Sequence, residues 1–213
     1  MRCNPSSRAG TIRTVVLTAV VSAGVASSAA LALAGSFSHD ETTSRGFPMV
    51  QGERINVFKV MGTSPALLQS YKDVSKNLKE QGSLSQAEIN VVLMTAAVEN
   101  KCKYCTAAHT GGARRNGVED ETIRAIQEST GIADEKLRVL HDFTLRVYET
   151  RGRVSDDEIQ TFLDAGYTHG QALDVVACLA AKVMTNYANQ MAGTPVDEFL
   201  QAEIDKMSAA KTW

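Results

Sequence analysis

Along most of the chain, apolar residues recur at three- and four-residue intervals, the spacing of a helix with one buried face. Leu137, Leu140, Phe143, Leu145 and Val147 show the pattern over about three turns. Helix ends are marked by side chains suited to cap them. Ser64-Pro65 pairs an N-cap with proline at the first helical position, and Gly82 closes that segment. Ser85-Gln86-Ala87-Glu88 and Ser155-Asp156-Asp157-Glu158 are capping boxes, and Thr168-His169-Gly170-Gln171 is a looser version of the same device. Thr194-Pro195 reads as the start of a last helix, and Gly117, Gly152 and Gly166 fall where helices should stop. Helices are predicted over 64–81, 85–99, 101–116, 119–129, 134–151, 155–165, 169–192 and 195–208. The segment "ALDVVACLAAKVM", 172–184, is apolar on most sides and is expected to be central. No alternating Val/Ile/Thr-rich runs lie between turn residues, so the predicted class is all-α.

Composition narrows the picture without changing it. The chain has 213 residues, 44% hydrophobic and 22% charged, with a formal net charge of −2. That is enough apolar material for one sizeable core, and the near-neutral charge excludes an electrostatic footprint for nucleic acid. The first residues differ from the rest. Arg2, Arg8 and Arg13 precede "TVVLTAVVSAGVASSAALALA", and no acid occurs before Asp40. A basic head, an apolar stretch and a small-residue end predict an export signal over residues 1–34, with periplasmic or secreted localisation. A retained anchor or an organellar transit segment (or a cytoplasmic chain) is the alternative. Residues 35–53 read as a polar linker, leaving a helical domain over 54–208. "QAEINVVLMTAAVENKCKYC" from Gln86 and "QALDVVACLAAKVMTNYANQ" from Gln171 echo one another faintly, suggesting two weakly similar halves.

The candidate chemistry sits in "AAVENKCKYCTAAHT", 96–110. On a helix, Cys102, Cys105 and His109 fall on one stripe, because residues three and four apart share a face. Three-residue spacing lets two cysteines form a disulfide, and His109 lies a turn beyond Cys105, close enough to exchange a proton with its sulfur. Lys101 and Lys103 flank Cys102, and a helix N-terminus adds further positive potential; both favour thiolate over thiol. The trio thus offers a nucleophile, a resolving thiol and a proton carrier, which suits reduction of a hydroperoxide or of a partner's disulfide and calls for no cofactor. Packing, a static disulfide and a metal site are the other readings. A metal would need a fourth ligand from His141, His169 or a carboxylate. Cys178, alone in an apolar helix, reads as packing.

The stretch "LSQAEINVVLMTAAVENKCKYCTAAH" resembles the signature of the carboxymuconolactone decarboxylase and alkyl hydroperoxidase D (AhpD-like) family, L-S-x-x-E, an apolar helix, Asn, then C-x-Y-C-x-x-x-H. The likeness extends from "NVFKVMGTSPALLQSY" to "NYANQMAGTPVDEF", about residues 55 to 200. It implies an all-helical AhpD-like fold of about eight helices, assembled as a homo-oligomer (trimer or hexamer). Carried over from the peroxidase-type members, Cys105 would be the attacking thiol, Cys102 the resolver and His109 part of a proton relay. The partners would be a hydroperoxide and an external thiol or disulfide reductant. Those members carry a relay glutamate twelve residues before the first cysteine, where this chain has Asn90, which cannot ionise. Glu99, one turn before Cys102, is the candidate replacement. Tyr104 is a candidate for shaping the pocket, and Asn186, Tyr187 and Asn189 for facing it. The family's decarboxylase branch leaves a lyase or hydrolase of a small carboxylated lactone as the alternative. A non-catalytic metal-binding helical oligomer is a further one.

Overall fold

Helix α3 (Gln86–Glu99) is apolar nearly all round, and that composition places it at the centre. It packs against α4 (Lys103–Arg115), α5 (Asp120–Glu128), α6 (Glu135–Thr150) and α8 (His169–Ala192). The computed structural model describes residues 42–209, and the expected export signal lies outside them. The remaining helices are α1 (Asn56–Met61), α2 (Pro65–Glu80), α7 (Asp156–Asp164) and α9 (Glu198–Ala209). Among the described residues there is no strand, only an isolated bridge between Thr42 and Pro48. The all-α class holds.

Most predicted ends are where the caps put them. The Ser85/Glu88, Ser155/Glu158 and Thr168/Gln171 boxes all close in both directions, and Ser64 Oγ accepts from Leu67 N–H. Gly117, Gly152 and Gly166 all take positive φ just past helix ends. One part of the core is built around a ring stack, with Phe143 4.2 Å from Phe162 and Phe162 4.4 Å from Tyr167, centroid to centroid.

Four expectations change. Helix α1 was not predicted; it is six residues long and has no cap of its own. The last helix starts at Glu198 rather than at Pro195, because Asp197 is committed elsewhere: its carboxylate accepts from Asn56 N–H at the start of α1. Residues 42–53, expected as linker, lie against the domain. Thr43 and Met49 are buried, Met49 clusters with Val60 and Ala192, and Ser44 Oγ donates to Gly193 O. Finally, α8 packs against α1, α2, α3, α4 and α6 as a central helix should, but it is not covered on every side. Leu173, Val176, Val183, Tyr187 and Met191 form an exposed stripe at three-, four- and seven-residue intervals along it, Leu173 being 70% exposed. Its opposite face, with Val175, Cys178, Ala181 and Thr185, is buried, so an apolar all-round pattern here means two covered faces of different kinds or one still uncovered.

Candidate active site

The site begins with the three-residue turn between α3 and α4. Asn100 caps α3, Lys101 takes a left-handed conformation at φ 51°, and Cys102 follows. Lys101 N–H bonds Val98 O at 2.8 Å and Cys102 N–H bonds Ala97 O at 3.0 Å, closing α3 in a Schellman motif. Cys102 is at once the N-cap of α4, its Sγ accepting from Cys105 N–H at 3.4 Å. The first cysteine therefore lies just outside the helix in which it was expected. The pairing of the two sulfurs survives this, because a cap and the third helical residue face each other across the first turn.

Both thiols are buried and free of a disulfide. Cys105 is held down to about 6, first by a hydrogen bond from the Cys102 thiol, then by the charge of Lys182 and by Asn189, all working against burial. Asn189 Nδ2 donates to Cys105 Sγ at 3.2 Å. Cys102 is pushed the other way, by that same hydrogen bond, by burial and by the charge on Cys105. The arrangement is one thiolate and one thiol that donates to it, with the thiolate on the second cysteine.

Lys182, from the middle of α8, is 2% exposed. Its Nζ lies 2.9 Å from His109 Nε2 and within hydrogen-bonding reach of Cys105. An ammonium can only donate, so Nε2 accepts and the imidazole carries its proton on Nδ1. Burial, reinforced by the Lys182 charge, keeps His109 well below its ordinary value, and the ring is neutral. The expected carboxylate is absent from this constellation. Glu99 ends α3 on the side of Tyr148, whose phenol is raised by burial, then by Tyr187 and Glu99. It does not line the site cavity. Asn90 does not line it either: its amide donates to Gln86 O at 2.7 Å and its Oδ1 packs on the α4 backbone at Gly112, where a Cβ would come within 2.4 Å.

Cys105, His109, Lys182 and Asn189 open onto a cavity of about 400 Å³. Ile55, Val57, Phe58 and Phe199 make its apolar walls, and Arg114, Arg115 and Glu203 add charge. Cys102 does not reach it. Tyr104 shapes the wall as expected: its hydroxyl donates to Asp197 and accepts from Val57 N–H, tying α1, α4 and the loop before α9 together. Of the α8 candidates, Asn189 meets the site. Asn186 is buried against Ala96 O, and Tyr187 lies on the exposed stripe. Among the described residues no group of three or more His, Cys, Asp or Glu side chains could hold a metal ion. His141 bonds Asp142 on α6, and neither it nor His169 lines the cavity.

Residues 65–136, which include α2, α3, α4 and both cysteines, match the sequence model of the carboxymuconolactone decarboxylase family. The match covers 72 of the 213 residues, and over them the chain is similar to that family. Solved structures share the fold. An AhpD-core, peroxidase-related protein from Ralstonia eutropha JMP134 superposes with a TM-score of 0.62 at 20% identity, over 68% of this chain and 78% of that one. A peroxidase-related protein from Silicibacter sp. TM1040 gives 0.64 at 17% identity, over 78% of this chain and 97% of the other. The debrominase Bmp8, in complex with 2,3,4-tribromopyrrole, gives 0.61 at 16% identity, over 72% and 82%. No functionally curated protein matches the sequence. Lys182 is the site residue that the sequence analysis did not name. The signal for Lys182 was there: a basic residue interrupting the apolar run "CLAAKVM" one turn from the buried Cys178.

Proposed function

We propose that this chain is a member of the carboxymuconolactone decarboxylase family and a thiol-dependent peroxidase, one that reduces organic hydroperoxides and is recycled by an external dithiol. The observation that carries the reading is the division of labour between the sulfurs: Cys105 is the one in the cavity wall and the one held as thiolate, with Cys102 as thiol behind it. In the first step Cys105 Sγ attacks one peroxide oxygen. An S–O bond forms, the O–O bond breaks, and the alcohol leaves with a proton. In the second, Cys102 Sγ attacks the Cys105 sulfenic acid, releasing water and closing the disulfide. The external dithiol then reduces that disulfide by exchange. Apolar walls of this extent favour a hydroperoxide with an organic substituent over hydrogen peroxide. If the chain is exported, the donor is a dithiol of the periplasm or cell exterior.

The proposed assembly is a homo-oligomer, supported by the exposed apolar stripe on α8.

The reading is tested with reduced protein and tert-butyl hydroperoxide, following peroxide loss and the Cys102–Cys105 disulfide by mass spectrometry. Cys105→Ser should slow peroxide loss at least 100-fold. Cys102→Ser should support one turnover and stop, leaving a dimedone-reactive sulfenic acid on Cys105. Peroxide consumption by Cys105→Ser at the parent rate sinks the assignment. Activity on a carboxylated lactone that survives loss of both cysteines would support the decarboxylase branch instead, and stoichiometric zinc the metal-binding one.

A further inference from the structure

Lys182 is an unusual occupant for the position it holds. A buried ammonium is stable only beside an anion, and among the described residues no carboxylate pairs with it. The nearby acids are already engaged: Asp197 by Tyr104 and Asn56, Glu203 by Arg114. The anion that remains is the Cys105 thiolate. Lys182 therefore has a counter-ion in the reduced protein and none in the oxidised one, where Cys105 is part of a neutral disulfide. An isolated cation would be left in the interior unless its charge disappeared in the same reaction.

We propose that Lys182 is the general acid of the peroxide-cleaving step, delivering its proton to the alkoxide as the O–O bond breaks. The inference rests on the peroxidase reading above. Lys182 and Cys105 wall the same cavity, so the leaving oxygen of a peroxide under attack at Sγ departs into the space Nζ faces. No other group on the elements around the cavity is as well placed. His109 presents its acceptor nitrogen to Lys182. The Tyr104 hydroxyl is held by Asp197, and Tyr71 on α2 is raised by burial. The guanidinium groups of Arg114 and Arg115 hold their protons too firmly. His109 becomes a positioning residue, fixing the direction in which Nζ points.

The atoms balance without a proton from solvent. Thiolate, ammonium and ROOH give sulfenic acid, amine and ROH; sulfur is oxidised and the peroxide reduced. The Cys102 thiol and the sulfenic acid give the disulfide and water. The external dithiol returns both cysteines as thiols while becoming a disulfide itself, and Cys105 passes its proton to Lys182. Each turnover thus begins again from the ion pair.

Two measurements test this. In the first, parent protein is oxidised by one equivalent of tert-butyl hydroperoxide in weak buffer at mildly alkaline pH, with a pH indicator and the thiolate ultraviolet absorbance recorded together. The expected result is loss of thiolate absorbance with no proton uptake. Uptake of one proton per disulfide means Lys182 keeps its charge, and overturns the proposal while leaving the peroxidase reading intact. A parent that is not oxidised at all overturns both. In the second, single-turnover peroxide rates of Lys182→Met and Lys182→Arg are compared with the parent at matched thiolate fraction, set by the pH profile of Cys105 alkylation. Both variants should be at least tenfold slower, since methionine has no proton and arginine does not release one. Lys182→Arg should retain the low alkylation midpoint that Lys182→Met loses. A rate within twofold of the parent in either variant, once thiolate is matched, reduces Lys182 to an electrostatic role. The first measurement needs no variant, so a substitution that fails to fold does not rescue the idea.

Discussion

Lys182 Nζ and His109 Nε2 lie 2.9 Å apart, a cation where a carboxylate was expected. The two partners would act on the imidazole in opposite directions. A carboxylate would raise its basicity and favour a second proton, whereas an ammonium donating to Nε2 opposes one.

It follows that neither carboxylate candidate should matter to the chemistry. Glu99→Gln is expected to leave the peroxide rate within about twofold of the parent, because Glu99 lies outside the cavity beside Tyr148. Asn90→Glu should not raise activity and should destabilise the fold by about 1–3 kcal/mol, since the longer side chain is forced against Gly112. Steady-state rates and denaturant melts check both; a clear gain of activity in Asn90→Glu would show that position 90 can still reach His109.

The stability of the reduced protein should depend on pH with a definite sign. Cys105 is an acid whose folded value is depressed to about 6, so the unfolded chain binds more protons than the native one from pH 6 up to the ordinary thiol value. Stability therefore rises with pH through that window and is lost as pH falls through 6. His109, held neutral by burial and by Lys182, loses stability in the same direction on acidification. Thermal melts of the reduced protein should show a higher midpoint at pH 8 than at pH 5.5. The difference should shrink in Cys105→Ser. An unchanged slope in that variant would place the titration elsewhere.

Asp197 serves two elements at once, accepting from Asn56 N–H of α1 and from the Tyr104 hydroxyl. Asp197→Ala leaves both donors without this partner and should cost about 2–6 kcal/mol, at about 1–3 for each group stranded. Because these groups support the cavity wall, the KM for a bulky hydroperoxide should rise as well. Asp197→Asn, which retains an acceptor, should lose markedly less. Urea melts of the two variants decide this; equal losses would mean that the carboxylate charge is what counts.

The exposed stripe on α8 predicts self-association. Val183→Glu should shift the protein to a smaller species in light scattering while leaving its helical circular dichroism unchanged. An unaltered mass would remove α8 from the interface.

Much of this molecule could be read from local signals, and the parts that could not share a physical cause. Capping boxes act within four residues, so Ser85, Ser155 and Thr168 announced their helices without help from the fold. Cys102, Cys105 and His109 were visible for the same reason, being neighbours in sequence as well as in space. Lys182 and Asn189 reach the site from more than seventy residues away; Asn189 was legible only through the family resemblance, and the interruption of an apolar run by Lys182 says that it is unusual but not what it meets. Helix α1 was missed because the group that caps it, Asp197, comes from the far end of the chain. The position of the last helix was misjudged for the complementary reason: Thr194-Pro195 looks like a start, but the residues after it are drawn away to α1 and Tyr104. Glu99 had the right chemistry one turn from Cys102, and the direction in which its helix turns sends it to α6.

The left-handed Lys101 has a kinetic consequence. Cys102 N–H is bonded to the end of α3, and its carbonyl accepts from Thr106 N–H at 2.9 Å in the first turn of α4. Backbone on both sides of the Cys102 sulfur, the proposed resolver, is thus already committed in the reduced state, and no loop separates the two cysteines. Closing the disulfide becomes a matter of side-chain torsion and a shifted proton, with little reorganisation of the chain. If the chain is the proposed peroxidase, it has no slow unwinding step to gate its turnover. Its rate in the cell would be set by how fast peroxide arrives and how fast a reducing partner docks.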